Sequence, residues 1–144
     1  MQTAERVESG KSAAVAAAGG FLGILPTTVT ASSGAVAQAL SVATGLATCA
    51  LFGVVYRYIV ASDEKNPQLK GGAVAAFGLT RGLPLAQGAL TSAESIDLEV
   101  LAAAGLLAGQ SMLLFGFAAA AMELAFKGGV VQRLGQVQAS DTAA

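Results

Sequence analysis

The chain has 144 residues, 54% of them hydrophobic and 12% charged, with a formal net charge of −1 and a mean hydropathy of +0.65. An ordinary soluble domain is about 25% charged, so eight Lys/Arg and nine Asp/Glu are thin cover for a globule, and no basic face exists to bind nucleic acid. One cysteine, Cys49, and no histidine exclude an internal disulfide, a zinc site and a Ser-His or Cys-His catalytic pair.

The charges cluster at the chain ends and in two short loops, which is the distribution of an all-α integral membrane protein. Residues 1–11 mix signs (Glu5, Arg6, Glu8, Lys11) and read as a polar N-terminal tail. The first span, about 12–30, is Ala-rich; Gly19 and Gly23 form a small-xxx-small pair that lets another helix backbone approach. After a neutral turn, the second span covers about 34–60, with Gly45, Cys49 and Gly53 on one small-residue face. Its end, Tyr56-Arg57-Tyr58, has the aromatic rings and snorkelling cation of an interfacial anchor, or of a docking site for a lipid head group or partner.

Residues 61–70 form the polar internal loop, with Asp63, Glu64, Lys65, Lys70 and the turn signal Asn66-Pro67. The third span, about 71–90, is Gly-rich and carries Arg81. At 1.5 Å per residue Arg81 lies about 15 Å from Gly71, near a bilayer midplane. An arginine there costs about 2.5–3.5 kcal/mol on translocon scales, so it should face the bundle interior, a cofactor or a partner. Pro84 removes a backbone donor and predicts a kink beside it. The acidic loop 91–99 holds Glu94, Asp97 and Glu99, with capping-box spacing between Thr91 and Glu94. The fourth span, about 98–126, carries the close-packing pair Gly105 and Gly109, and Glu123 four residues before Lys127. Residues 128–144 read as a polar C-terminal tail.

Four spans put Arg6, Lys11, Arg57, Lys65, Lys70, Lys127 and Arg133 on one side of the membrane with both termini, and the acidic loop on the other. A three-span alternative would split the basic residues and spoil this positive-inside pattern. Within the spans, Gln38, Gln87 and Gln110 serve as interhelical hydrogen-bonding groups, or with Glu123 as candidate oxygen ligands to the magnesium of a chlorophyll. Arg81 with Pro84 is the sharpest candidate for chemistry: a structural ion pair, or a contact to an anionic ligand, a cofactor or a partner's carboxylate. No phosphate loop, nucleophile elbow or acid/base carboxylate pair is evident, which argues against an enzyme.

The stretches LFGVVYRYIV (51–60), NPQLKGGAVAAFGLTRGL (66–83) and, more loosely, SMLLFGFAAAAMELAF (111–126) resemble a family of small integral membrane proteins of cyanobacteria and plastids. The resemblance implies a thylakoid or plastid-envelope membrane with the basic side toward stroma or cytoplasm. By analogy with small peripheral photosystem subunits, it implies photosystem or antenna subunits as partners, and chlorophyll, carotenoid or lipid as contacts. The leading expectation is therefore a non-enzymatic accessory or assembly subunit of a photosynthetic membrane complex. The alternative is a small transporter or channel subunit with Arg81 in the solute path.

Overall fold

A computed structural model describes residues 2–30, 34–62 and 66–133, in which all regular structure is α-helical. Asp63, Glu64, Lys65 and the tail beyond Arg133 lie outside the described residues. Four helices run α1 (Gln2–Thr30), α2 (Ala35–Ser62), α3 (Pro67–Thr91) and α4 (Leu98–Lys127). Short connections force neighbours antiparallel, which brings the N-termini of α1 and α3 to one end of the bundle with the C-termini of α2 and α4. α4 packs along both α1 and α3, and α1 along α2, whereas α2 touches α3 only sparingly.

Local chemistry sets the helix ends. Asn66 caps α3, its Oδ1 accepting from the Gln68 and Leu69 amides at 3.0 and 3.3 Å. Pro67 occupies the first turn, where its missing N–H costs nothing; the turn signal is thus a helix start. α4 starts at Leu98, capped by Asp97 Oδ1 accepting from the Val100 amide at 2.9 Å. The Thr91–Glu94 capping box expected inside the loop does not form, since Thr91 ends α3 instead. α3 continues unbroken through Pro84.

Residues 2–11, expected as a tail, are the first turns of α1. Residues 128–133, expected as the start of another tail, turn back over the bundle. Gly129 at φ +69° makes the reversal, which a residue with a Cβ would resist. The Gly129 amide donates to the Phe126 carbonyl at 3.3 Å and the Val130 amide to Ala125 at 3.0 Å, the paired bonds of a Schellman ending. Val131 is thereby driven into the core, 2% exposed.

The core centres on Phe52 of α2, whose ring meets Tyr56, Phe77 and Phe115 at centroid distances of 5.2, 5.3 and 5.3 Å. One aromatic each from α2, α3 and α4 therefore joins these helices, while α1 enters through small residues. Outside this core the helices present aliphatic side chains: Val36, Leu40, Leu98, Leu106, Leu113 and Leu124 are all more than half exposed. Among the described residues, Ala35–Ala61 and Leu98–Lys127 are long and apolar enough to cross a membrane, each with mean hydropathy 1.8. Two helices reach that apolarity, where the sequence reading has four spans; α1 opens with Glu5, Arg6, Glu8 and Lys11, and α3 carries Lys70 and Arg81 among its glycines.

Candidate functional site

Two polar arrangements stand out against this apolar bundle. The first closes the end where α1 begins. Glu5, Glu8, Ser9 and Ser12 fall at the i, i+3, i+4, i+7 positions of one α1 face, and that face meets Arg57. The Arg57 side chain is fully enclosed: Nη2 donates to Glu5 Oε2 at 3.0 Å, Nη1 to Ser9 Oγ at 3.2 Å and Nε to the Gln132 carbonyl at 2.9 Å. Glu8 Oε2 accepts from the Gln132 amide at 2.7 Å while its Oε1 pairs with Lys11 at 2.7 Å. Burial by itself raises the Glu8 carboxyl, but the Gln132 amide, Lys11 and the field of Arg57 outweigh it and hold the group below its ordinary 4.5. Arg133 then lies over the Phe126 ring, 5.1 Å from its centre.

Beside it, Glu123 Oε1 accepts from Tyr56 Oη at 2.9 Å and pairs with Lys70 Nζ at 2.8 Å, tying α2, α3 and α4 together. Glu123 therefore pairs across helices and not with Lys127, which is exposed. Its Oε1 takes both donors, so Glu123 belongs to the bundle's own polar network.

The Tyr56-Arg57-Tyr58 anchor is corrected as well. Tyr56 and Arg57 are 1% and 0% exposed, part of the bundle's internal polar layer. Tyr58 alone of the three faces outward, at 48% exposed. Helical periodicity gives the reason: the 53, 56, 57, 60 line of α2 faces α1 and α4, and Tyr58 lies off it.

The packing glycines divide. A Cβ on Gly19 would meet Phe117 O and Ala121, on Gly23 the Leu114 backbone, on Gly45 Ile24, and on Gly53 Ser12 O and Ala16. These contacts and the buried Cys49 are the close approaches the sequence indicates. Gly20, Gly78 and Gly82 add three more, against Cys49, Met112 and Ala108. Gly105 and Gly109 have nothing within 4 Å of a Cβ, so this close-packing pair points away from the bundle and meets no helix of this chain among the described residues. The sequence reading puts Glu5 and Glu8 in a tail and passes over Ser9, Ser12 and Gln132; two signals pointed to them, the helical spacing of the first four and the Gly128-Gly129 pair.

The second arrangement is Arg81. Its guanidinium reaches across to α2, with Nη2 and Nη1 at 3.4 and 3.6 Å from the position a Gly45 Cβ would take. It is part-buried, and among the described residues no carboxylate or carbonyl meets it. Pro84 and Gln87 further along α3 are exposed, while Gln38 and Gln110 are part-exposed on α2 and α4. Among the described residues no three His, Cys, Asp or Glu side chains group as a metal site. No family model matches the chain, and no curated protein or solved structure matches it either.

Proposed function

We propose that the chain is a non-enzymatic accessory or assembly subunit of a photosynthetic membrane complex, crossing the bilayer four times with both termini on the stromal or cytoplasmic side. The observation that carries this reading is the uncovered apolar surface of the helices. Only 28% and 22% of the most apolar windows of α2 and α4 are buried by the protein itself. The core helix of a soluble protein would be mostly covered, and a signal-peptide core of about 7–15 residues is far shorter than either helix.

Helix length supports four spans. Beyond the polar layer, the stretches 12–30, 35–57, 70–91 and 98–123 rise about 27 to 38 Å, against a hydrocarbon core of about 30 Å. Lys11, Arg57, Lys70 and Arg133 all attach to the same end of the bundle, in keeping with a positive-inside orientation. The photosynthetic setting is supported by the resemblance of residues 51–83. In that setting photosystem or antenna subunits are the partners, and lipid, chlorophyll or carotenoid contacts fall on the exposed leucine faces.

The test is purification of the tagged full chain from its native membrane in mild detergent. Co-migration with pigment-bearing subunits on a native gel is expected, and a lone, pigment-free monomer would overturn the reading. A transporter has less behind it, because the Thr44 and Thr48 hydroxyls turn back onto the Leu40 and Gly45 carbonyls at 2.8 and 2.9 Å and do not line a polar path.

A further inference from the structure

We infer that Arg81 is the seat for a partner protein's transmembrane helix that carries a carboxylate at mid-depth, laid along the seam between α2 and α3. The inference rests on the subunit reading above and names the chemistry of that docking.

The seam has one closed end. Phe77 of α3 meets Phe52 of α2 at 5.3 Å between ring centroids and shuts it toward the polar layer. One turn further along the same line of α3 comes Arg81, then Leu85 and Gly88. Leu85 is 40% exposed and Gly88 has nothing within 4 Å of a Cβ, so the seam opens beyond the arginine. On the α2 side Gly45 leaves the room that the guanidinium fills. The cation thus sits at the rim of an apolar groove, about 17 Å along α3 from Lys70 and far from either helix end. A guanidinium carries five N–H donors, and in hydrocarbon donors are held by protein acceptors or not at all.

Among the described residues this chain does not supply the acceptor. Glu5 and Glu8 are engaged at the α1 end by Arg57, Lys11 and Gln132, and Glu123 by Lys70 and Tyr56. Asp97 caps α4, with Glu94 and Glu99 beside it at the opposite end. A second copy in the same orientation presents its described carboxylates at those same two depths, so charge complementarity points to a different chain. A bidentate carboxylate fits the planar guanidinium fork, and the groove beside Gly45 and Gly88 is where a helix backbone can come close.

The test uses the tagged full chain in its native membrane, as wild type, Arg81→Leu and Arg81→Lys. Removing one partner of a desolvated ion pair should cut the co-purifying chain about 30-fold or more in Arg81→Leu. The thermal midpoint of the isolated protein should change little, because within the described residues only the guanidinium's packing against Gly45 is lost and no ion pair is broken. In Arg81→Lys, a membrane-permeant carbodiimide activates a buried carboxyl group, and the lysine amine then displaces the resulting urea to form an amide, with net loss of water. Mass spectrometry should place that amide on an Asp or Glu within an apolar segment of another chain. An intact complex with equal yield in Arg81→Leu, or with no such link in Arg81→Lys, would overturn this inference alone. A wild-type monomer without companions would overturn the subunit reading and this inference with it.

Discussion

Arg57 and Glu5 pair across the α1–α2 interface, Nη2 to Oε2 at 3.0 Å, with the arginine side chain shut off from solvent. The pair holds the first turns of α1 to the end of α2, and Gln132 O completes the arginine from the returning C-terminal segment. Glu5 is itself a quarter exposed, so solvent offsets part of its loss, and removing the arginine should cost about 1–3 kcal/mol through the acceptors left unpaired. Arg57→Met should therefore lower the unfolding midpoint in detergent sharply, and Arg57→Lys should recover little because one ammonium cannot reach three acceptors. An unchanged midpoint in Arg57→Met would mean the enclosed pair contributes nothing.

The Glu123 junction should respond more weakly. Lys70 and Glu123 are each about a quarter exposed, so solvent screens them and their pairing is worth about 1 kcal/mol at most. Tyr56→Phe, which deletes one hydroxyl donor at a buried position, should cost about 1 kcal/mol. A double-mutant cycle of Tyr56→Phe with Lys70→Met would show coupling through the shared Oε1; strict additivity would contradict that sharing.

Gly53 and Gly105 should part company on substitution. Gly53→Ala drives a methyl into the Ser12 carbonyl and Ala16, backbone that cannot yield cheaply, and should destabilise the isolated protein by about 1–3 kcal/mol. Gly105→Ala meets nothing and should be neutral or stabilising by up to about 1 kcal/mol, from helix propensity. Detergent unfolding of the two variants decides the matter, and equal losses would refute the outward orientation of the Gly105–Gly109 face.

Acid should loosen the clamp on the C-terminal segment. Glu8 titrates below its ordinary 4.5 in the folded protein, so its contribution is present above that value and disappears as pH falls through the lower, folded one. Protonation removes the charge that Lys11, Arg57 and the Gln132 amide favour. The unfolding midpoint of the wild type should drop more steeply below pH 4.5 than that of Glu8→Gln, and parallel curves would exclude Glu8 as the responsible group.

Much of this fold is legible in the chain itself. Apolar runs broken by Asn66-Pro67 and by the acidic 91–97 segment mark the helices, and two of them, Ala35–Ala61 and Leu98–Lys127, are long and apolar enough to cross a bilayer. Gly19, Gly23, Gly45 and Gly53 announce close helix approach by spacing alone. Arg81 announces a charge in an apolar stretch.

What the sequence does not decide is which side of each helix turns inward. Gly105 and Gly109 have the same spacing as Gly19 and Gly23, yet one pair faces outward and the other meets α4, because packing depends on the rotation of a helix against its neighbours. Tyr56 and Arg57 look like an interfacial anchor until the α1 stripe of Glu5, Ser9 and Ser12 and the reversal at Gly129 enclose them. That enclosure is a contact between residues about 50 to 75 positions apart, formed only when both ends of the chain reach the same end of the bundle. Local pattern marks where helices form; tertiary packing alone converts a surface cation into a buried clamp and sets Arg81 part-buried against Gly45 of α2.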